Sequence, residues 1–136
     1  MGILIDASVL IEHERGRLHI AKHLAGHEAD ELFLSVITAS ELLHGVHRAT
    51  DPGIRGRRAA FVEAILDRFP LLAVDLATAR AHARLQADLA AQGSLIGPHD
   101  LWLAAACLAY GLSIATVNRR EFARVPGLTV RVWEGA

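Results

Sequence analysis

Short apolar runs alternate with longer stretches of helical spacing along most of the chain. Residues 3–5, 32–36, 71–74, 113–117 and 129–133 are brief aliphatic runs suited to buried strands. Residues 39–49, 61–69, 77–92 and 101–110 carry apolar positions at helical spacing among good helix formers. Turn chemistry separates these elements. Asp51-Pro52-Gly53 divides two helices, Gly93 and Gly97-Pro98 divide two more, and Gly111 suits a helix stop. The alternation predicts an α/β domain with a mostly parallel sheet and helices on both faces.

The first apolar run, Ile3-Leu4-Ile5, ends on a carboxylate, Asp6, before an apolar pattern resumes at Val9, Leu10 and Ile11. In open parallel sheets, ligands gather beyond the carboxyl ends of the strands. Asp75 and Asn118 also stand at predicted strand ends, while Glu41 and Asp100 stand near the starts of helices. Each has a structural reading. Asp6 can cap a helix, Asp100 can complement a helix dipole, and Thr38-Ala39-Ser40-Glu41 has the spacing of a capping box. Asn118-Arg119-Arg120-Glu121 has similar spacing with Asn as the cap. The functional reading is that the acids meet. Carboxylates brought together repel one another unless a cation joins them, and an all-oxygen set suits Mg²⁺ or Mn²⁺.

Composition narrows the class without naming a function. The chain has 136 residues, is 52% hydrophobic and only 5% aromatic, so its core is aliphatic and alanine-rich. One domain, residues 1–136, is expected. The single cysteine, Cys107, sits in an apolar helical stretch and reads as an inert core thiol in a reducing cytoplasm. Asp6 interrupts any signal-peptide core and occupies the position where Met1-Gly2 myristoylation requires Ser or Thr. Residues 101–117 are uncharged but are divided by Gly111, so a soluble, cytoplasmic protein is expected. Net charge is −1, with thirteen arginines and one lysine among the 14 basic residues, which announces no broad nucleic-acid face.

Four segments together resemble the PIN-domain family, specifically the VapC-type toxins of bacterial toxin–antitoxin pairs. They are "ILIDASVLI", "SVITASELLHGV", "GPHDLWLAAACLAYGLSIATVNRREFARVPGL" and "VRVW". The resemblance runs in order over nearly the whole chain, and the third segment is its most specific part. It implies a three-layer sandwich around a five-stranded sheet of order 3-2-1-4-5. It also implies an endoribonuclease dependent on Mg²⁺ or Mn²⁺ that blocks translation, a homodimer, and a VapB-like antitoxin whose tail sets an arginine among the acids. By position, Asp6, Glu41 and Asp100 match the family's three acids, as catalytic residues and metal ligands, and Ser8 matches the small polar residue beside the first. Asn118 departs from the pattern where a fourth acid is common, and Glu121, one turn along, is the candidate to supply that charge.

Two other readings stand beside this one. The first is a PIN-like domain that binds RNA or a partner without cutting, which the amide at Asn118 would suit. The second is a small-molecule phosphohydrolase, but no glycine-rich phosphate loop supports it. A histidine metal site has little support. His19 and His23 are four apart, and Glu41 to His44 gives one Glu-x-x-His where a carboxylate di-metal bundle needs two. Arg55, Arg57 and Arg58 cluster ahead of the predicted helix at 61–69, either as a solvated face or as an RNA or antitoxin contact. Asp75, on what the family topology makes an edge strand, reads as a cap.

Overall fold

The computed structural model describes residues 2–26 and 28–134; Met1, His27, Gly135 and Ala136 lie outside the described residues, so the Met1-Gly2 reading is one of sequence only. Five parallel strands form one sheet of order β3-β2-β1-β4-β5. They are β1 (Gly2–Ile5), β2 (Glu31–Ser35), β3 (Leu71–Leu72), β4 (Ser113–Thr116) and β5 (Val130–Val132). The helices are α1 (Ala7–Glu14), α2 (Ile20–Leu24), α3 (Val36–Arg48), α4 (Pro52–Arg68), α5 (Leu76–Ala91), α6 (Pro98–Tyr110) and α7 (Arg119–Phe122). The expected order and parallel pairing are therefore present.

The central strand shows why the sheet is covered on both sides. Ile3, Leu4 and Ile5 are all 0% exposed, and successive side chains point to opposite faces. Ile3 and Ile5 join Val9, Leu10, Leu42 and Val62, so α1, α3 and α4 cover one face. Leu4 joins Leu85, Leu89, Leu103 and Phe122, so α5, α6 and α7 cover the other. β4 repeats the alternation, with Ala115 in the first cluster and Ile114 in the second. β1 and β4 are thus adjacent, and their carboxyl ends emerge side by side: Ile5 pairs with Ala115.

Two boundaries differ from the sequence reading. α4 begins at Pro52, nine residues before the expected start, because Asp51 caps it through Ile54 N–H (2.9 Å) and Pro52 suits the first helical position. Its first turns are polar, so apolar periodicity could not reveal them; Arg55, Arg57 and Arg58 lie within this helix, not ahead of it. α2 was not anticipated, being a five-residue helix with one buried residue, Ile20. Gly111 does end α6, in the left-handed region at φ 65° where a glycine is favoured. Among the described residues, no helix is long and apolar enough to cross a membrane.

Candidate active site

Asp6 leaves β1 with extended backbone (φ −72°, ψ 147°) and occupies the N-cap position of α1, yet its side chain makes no cap bond. Instead, Oδ2 accepts hydrogen bonds from Ser8 Oγ (2.7 Å) and Thr116 Oγ1 (2.8 Å). Each hydroxyl is itself fixed by a backbone donor: Val117 N–H to Ser8 Oγ (3.2 Å) and Asn118 N–H to Thr116 Oγ1 (2.9 Å). Both hydroxyls donate to the Asp6 carboxylate, and their oxygens stand 3.2 Å from each other. The carboxylate is thus aimed by β4 and the turn after it, while being only 6% exposed. A cap it is not.

Glu41 is not in a capping box either. β2 runs straight into α3, Ser35 Oγ caps that helix through Ile37 N–H (3.0 Å), and Glu41 lies in its second turn. Its Oε1 stands 3.1 Å from His99 Nδ1, so its partner is on α6. Asp100 is the third residue of α6, whose N-cap Gly97 makes no side-chain cap. Asn118 likewise makes no side-chain cap on α7, and Glu121 turns away from it to accept from Gly97 N–H (3.3 Å).

Gly97 lies beside both acids: a Cβ there would stand at ordinary contact distance from each, 3.4 Å from Glu121 Oε2 and 3.9 Å from Asp100 Oδ2. Burial pushes the Asp100 carboxyl up to about 8, helped by a hydrogen bond with Glu121 and by the charges of Asp6, Glu121 and Glu41. Glu121 moves the opposite way, lowered by its hydrogen bond with Asp100 and then by Gly97 N–H, so the shared proton belongs to Asp100. Asp6, Glu41 and Glu121 therefore all bear on one half-buried carboxyl. Among the described residues, no three His, Cys, Asp or Glu side chains close into a metal-ligand set as they stand. Glu41 is engaged by His99 and Glu121 by Gly97. The carboxyl oxygens of these acids still suit a hard divalent cation, which could take the place of the proton that Asp100 holds.

The remaining candidates fall elsewhere. Asp75 caps α5 through Thr78 N–H (2.9 Å), which lowers its pKa, and its Oδ2 accepts from Tyr110 Oη. Cys107 is buried and its thiol is pushed up to about 12 by that burial. His23 stacks on Trp133 (5.4 Å, 13°) and stands 2.7 Å from Glu134 O, so its ring is engaged at the end of β5. The arginine cluster divides. Arg55 Nε donates to Ala49 O (2.9 Å), Arg57 is exposed, and Arg58 Nη1 donates to Gly45 O (3.2 Å) in a groove shared with Glu41. Sequence reasoning missed Thr116 and His99. A hydroxyl near the end of the run "SIATV" was a signal for Thr116; nothing in the sequence marked His99.

The open parallel sheet thus carries a cluster of carboxyl groups beyond the ends of β1 and β4 of an α/β sandwich. The chain belongs to the PIN-domain family, whose model matches residues 3–128. It is 33% identical over 130 residues to the protein named Ribonuclease VapC of Rickettsia bellii, covering 96% of this chain and 95% of that one. It is 31% identical over 122 residues to the tRNA(fMet)-specific endonuclease VapC of Salmonella typhimurium, covering 90% and 85%. Among solved structures it is similar to the DNA-bound VapBC from Salmonella typhimurium, with a TM-score of 0.86, 28% identity and 98% of both chains covered.

Proposed function

We propose that this chain is a toxin-type endoribonuclease that hydrolyses RNA phosphodiester bonds with Mg²⁺ or Mn²⁺ and is neutralised by a VapB-like antitoxin. The names of its relatives support the class of reaction, and the VapBC neighbour supports the partner. The observation that carries the metal-dependent reading is Asp6. It caps nothing, and two hydroxyls hold it next to Asp100, where Glu41 and Glu121 also bear. On this reading Asp6, Glu41 and Asp100 hold the ion, with Glu121 and the Asn118 amide as supporting donors. Bound there, a divalent ion would supply positive charge against the phosphate and make the attacking water more acidic. The chain's own part is orientation. Ser8 and Thr116 fix the Asp6 carboxylate, β4 fixes Thr116, and the Gly97 N–H holds the Glu121 carboxylate. Action in the cytoplasm and a homodimer belong to the same proposal.

The test is cleavage of an RNA panel, structured RNAs including tRNA, by purified antitoxin-free protein. Cutting is expected with Mg²⁺ or Mn²⁺ and is expected to stop with chelator. Undiminished cutting in excess EDTA would defeat the metal-dependent mechanism, and binding without cutting under either metal would move the chain to a non-cleaving role.

Thr116 provides a finer test. Thr116→Val keeps the shape but removes the hydroxyl that aims Asp6, so Mg²⁺ affinity or rate should drop by about 10–100-fold. It also leaves Asn118 N–H without its acceptor, costing about 1–3 kcal/mol of stability if no water replaces it. Thr116→Ser should restore both. A Mg²⁺ titration of cleavage rate, with melting curves, decides it: equal rates for Val and Ser would show that the hydroxyl does not matter.

A further inference from the structure

A groove of about 240 Å³ opens between α1 and the α3–α4 pair, and Glu41 stands in its wall. Arg15, Arg48 and Arg58, from three different elements or their ends, line the same groove. None of the three forms an ion pair with another described residue; Arg58 is held by Gly45 O alone, through Nη1 at 3.2 Å. Glu14 is the one other acid in the lining, so cations outnumber carboxylates there by three to two. Gly45 sits inside α3, where glycine costs roughly 1 kcal/mol relative to alanine. A Cβ at that position would meet nothing within 4 Å, so packing within the chain does not account for the glycine, and its absent side chain leaves the groove open.

We infer that this groove carries the RNA backbone to the acids, with Arg15, Arg48 and Arg58 as the phosphate-binding residues. The inference rests on the ribonuclease reading above and adds the path of the substrate. A polyanion approaching Asp6, Glu41, Asp100 and Glu121 is repelled by them, and cations beside the acids offset that repulsion. Guanidinium groups suit phosphate because their planar fork pairs with two oxygens at once. Phe61, half-buried in the groove wall, gives an apolar surface that tolerates any base. The assignment also divides the arginine cluster of α4: Arg58 faces the groove, while Arg55 is committed to Ala49 O and Arg57 is outside the lining.

The experiment is fluorescence anisotropy with a labelled 20-nucleotide single-stranded RNA of mixed sequence, in metal-free buffer, across a series of sodium chloride concentrations. Wild type should bind with log K falling linearly in log salt, and Arg15→Gln, Arg48→Gln and Arg58→Gln should each reduce that slope by about 0.7. Arg58→Lys should keep the slope, and Arg84→Gln, on α5 across the sheet, should behave as wild type. Melting curves check that each variant folds. Unchanged slopes in all three groove variants, or no measurable binding by wild type, would overturn the assignment. So would poly-L-glutamate binding with the same arginine dependence and displacing RNA fully, because the groove would then fit an acidic peptide. Cleavage with Mg²⁺, assayed in parallel, keeps the two readings apart. Cutting with unchanged slopes defeats the groove alone; slopes that fall without any cutting defeat the nuclease alone.

Discussion

Asp6→Asn is expected to abolish RNA cleavage in a chain that still folds, and Glu41→Gln is expected to do the same. The asparagine carbonyl can accept the hydrogen bonds that Ser8 and Thr116 give to Oδ2, so the local network survives. What disappears is the negative charge, and the second carboxylate oxygen becomes an NH₂ donor that repels a cation. At Glu41 the glutamine carbonyl can keep the contact with His99 Nδ1 while losing the charge. The loss should exceed the ~10–100-fold that follows removal of an outer hydrogen-bond partner, because here a ligand itself is removed. Asp75→Asn is the control. Asn caps about as well as Asp, so Thr78 N–H keeps its acceptor, and both activity and melting temperature should stay close to wild type. Rates for single-turnover cleavage of tRNA, paired with thermal melts, give the answer. Normal cleavage by either variant would remove that residue from the mechanism, and unfolding of Asp6→Asn would make its role structural.

Much of this architecture could be read from the residues. Ile3–Ile5, flanked by a helical pattern, announced a strand buried on both faces, and its 0% exposure follows from its place at the centre of the sheet. The start of α4 could not be read from periodicity, since its first turns carry Gly53, Arg55, Gly56, Arg57 and Arg58 and bury nothing completely; only Asp51-Pro52 marked it. The capping boxes illustrate the reverse problem. Thr38 to Glu41 and Asn118 to Glu121 have the right spacing, but spacing does not say where a helix begins or which way an acid turns. Ser35 starts α3 three residues earlier, and Glu121 prefers the Gly97 N–H that α6 brings to it. Those outcomes depend on tertiary placement. Thr116 belongs to the same class: its hydroxyl matters only because β4 pairs with β1, more than a hundred residues away in sequence, and sets it 2.8 Å from Asp6.

Asp100→Asn should lose activity and at the same time make the metal-free chain less sensitive to pH. In the folded chain the Asp100 carboxyl is raised to about 8, by burial first and then by its acidic neighbours; unfolded, it returns to roughly 3.9. Between those values the folded state holds a proton that the unfolded state has released, so raising pH favours unfolding. The contribution is fully present below about pH 4 and is lost progressively as pH rises through about 8. Asp100 keeps some contact with water, so screening holds the effect below what the full shift implies. Asparagine resembles the protonated carboxyl: it is neutral and can donate to Glu121. The variant should therefore melt higher than wild type at pH 8 in EDTA, with the difference shrinking toward pH 5. Every other titratable side chain is common to both proteins, so the difference between the two melting curves isolates residue 100. Adding Mg²⁺ at pH 8 should raise the wild-type melting temperature and leave the variant nearly unchanged, because an ion relieves a repulsion that the variant no longer has. Two parallel melting-temperature profiles from pH 5 to pH 8 would show that Asp100 bears no such strain, and an equal Mg²⁺ response in both chains would place the ion elsewhere.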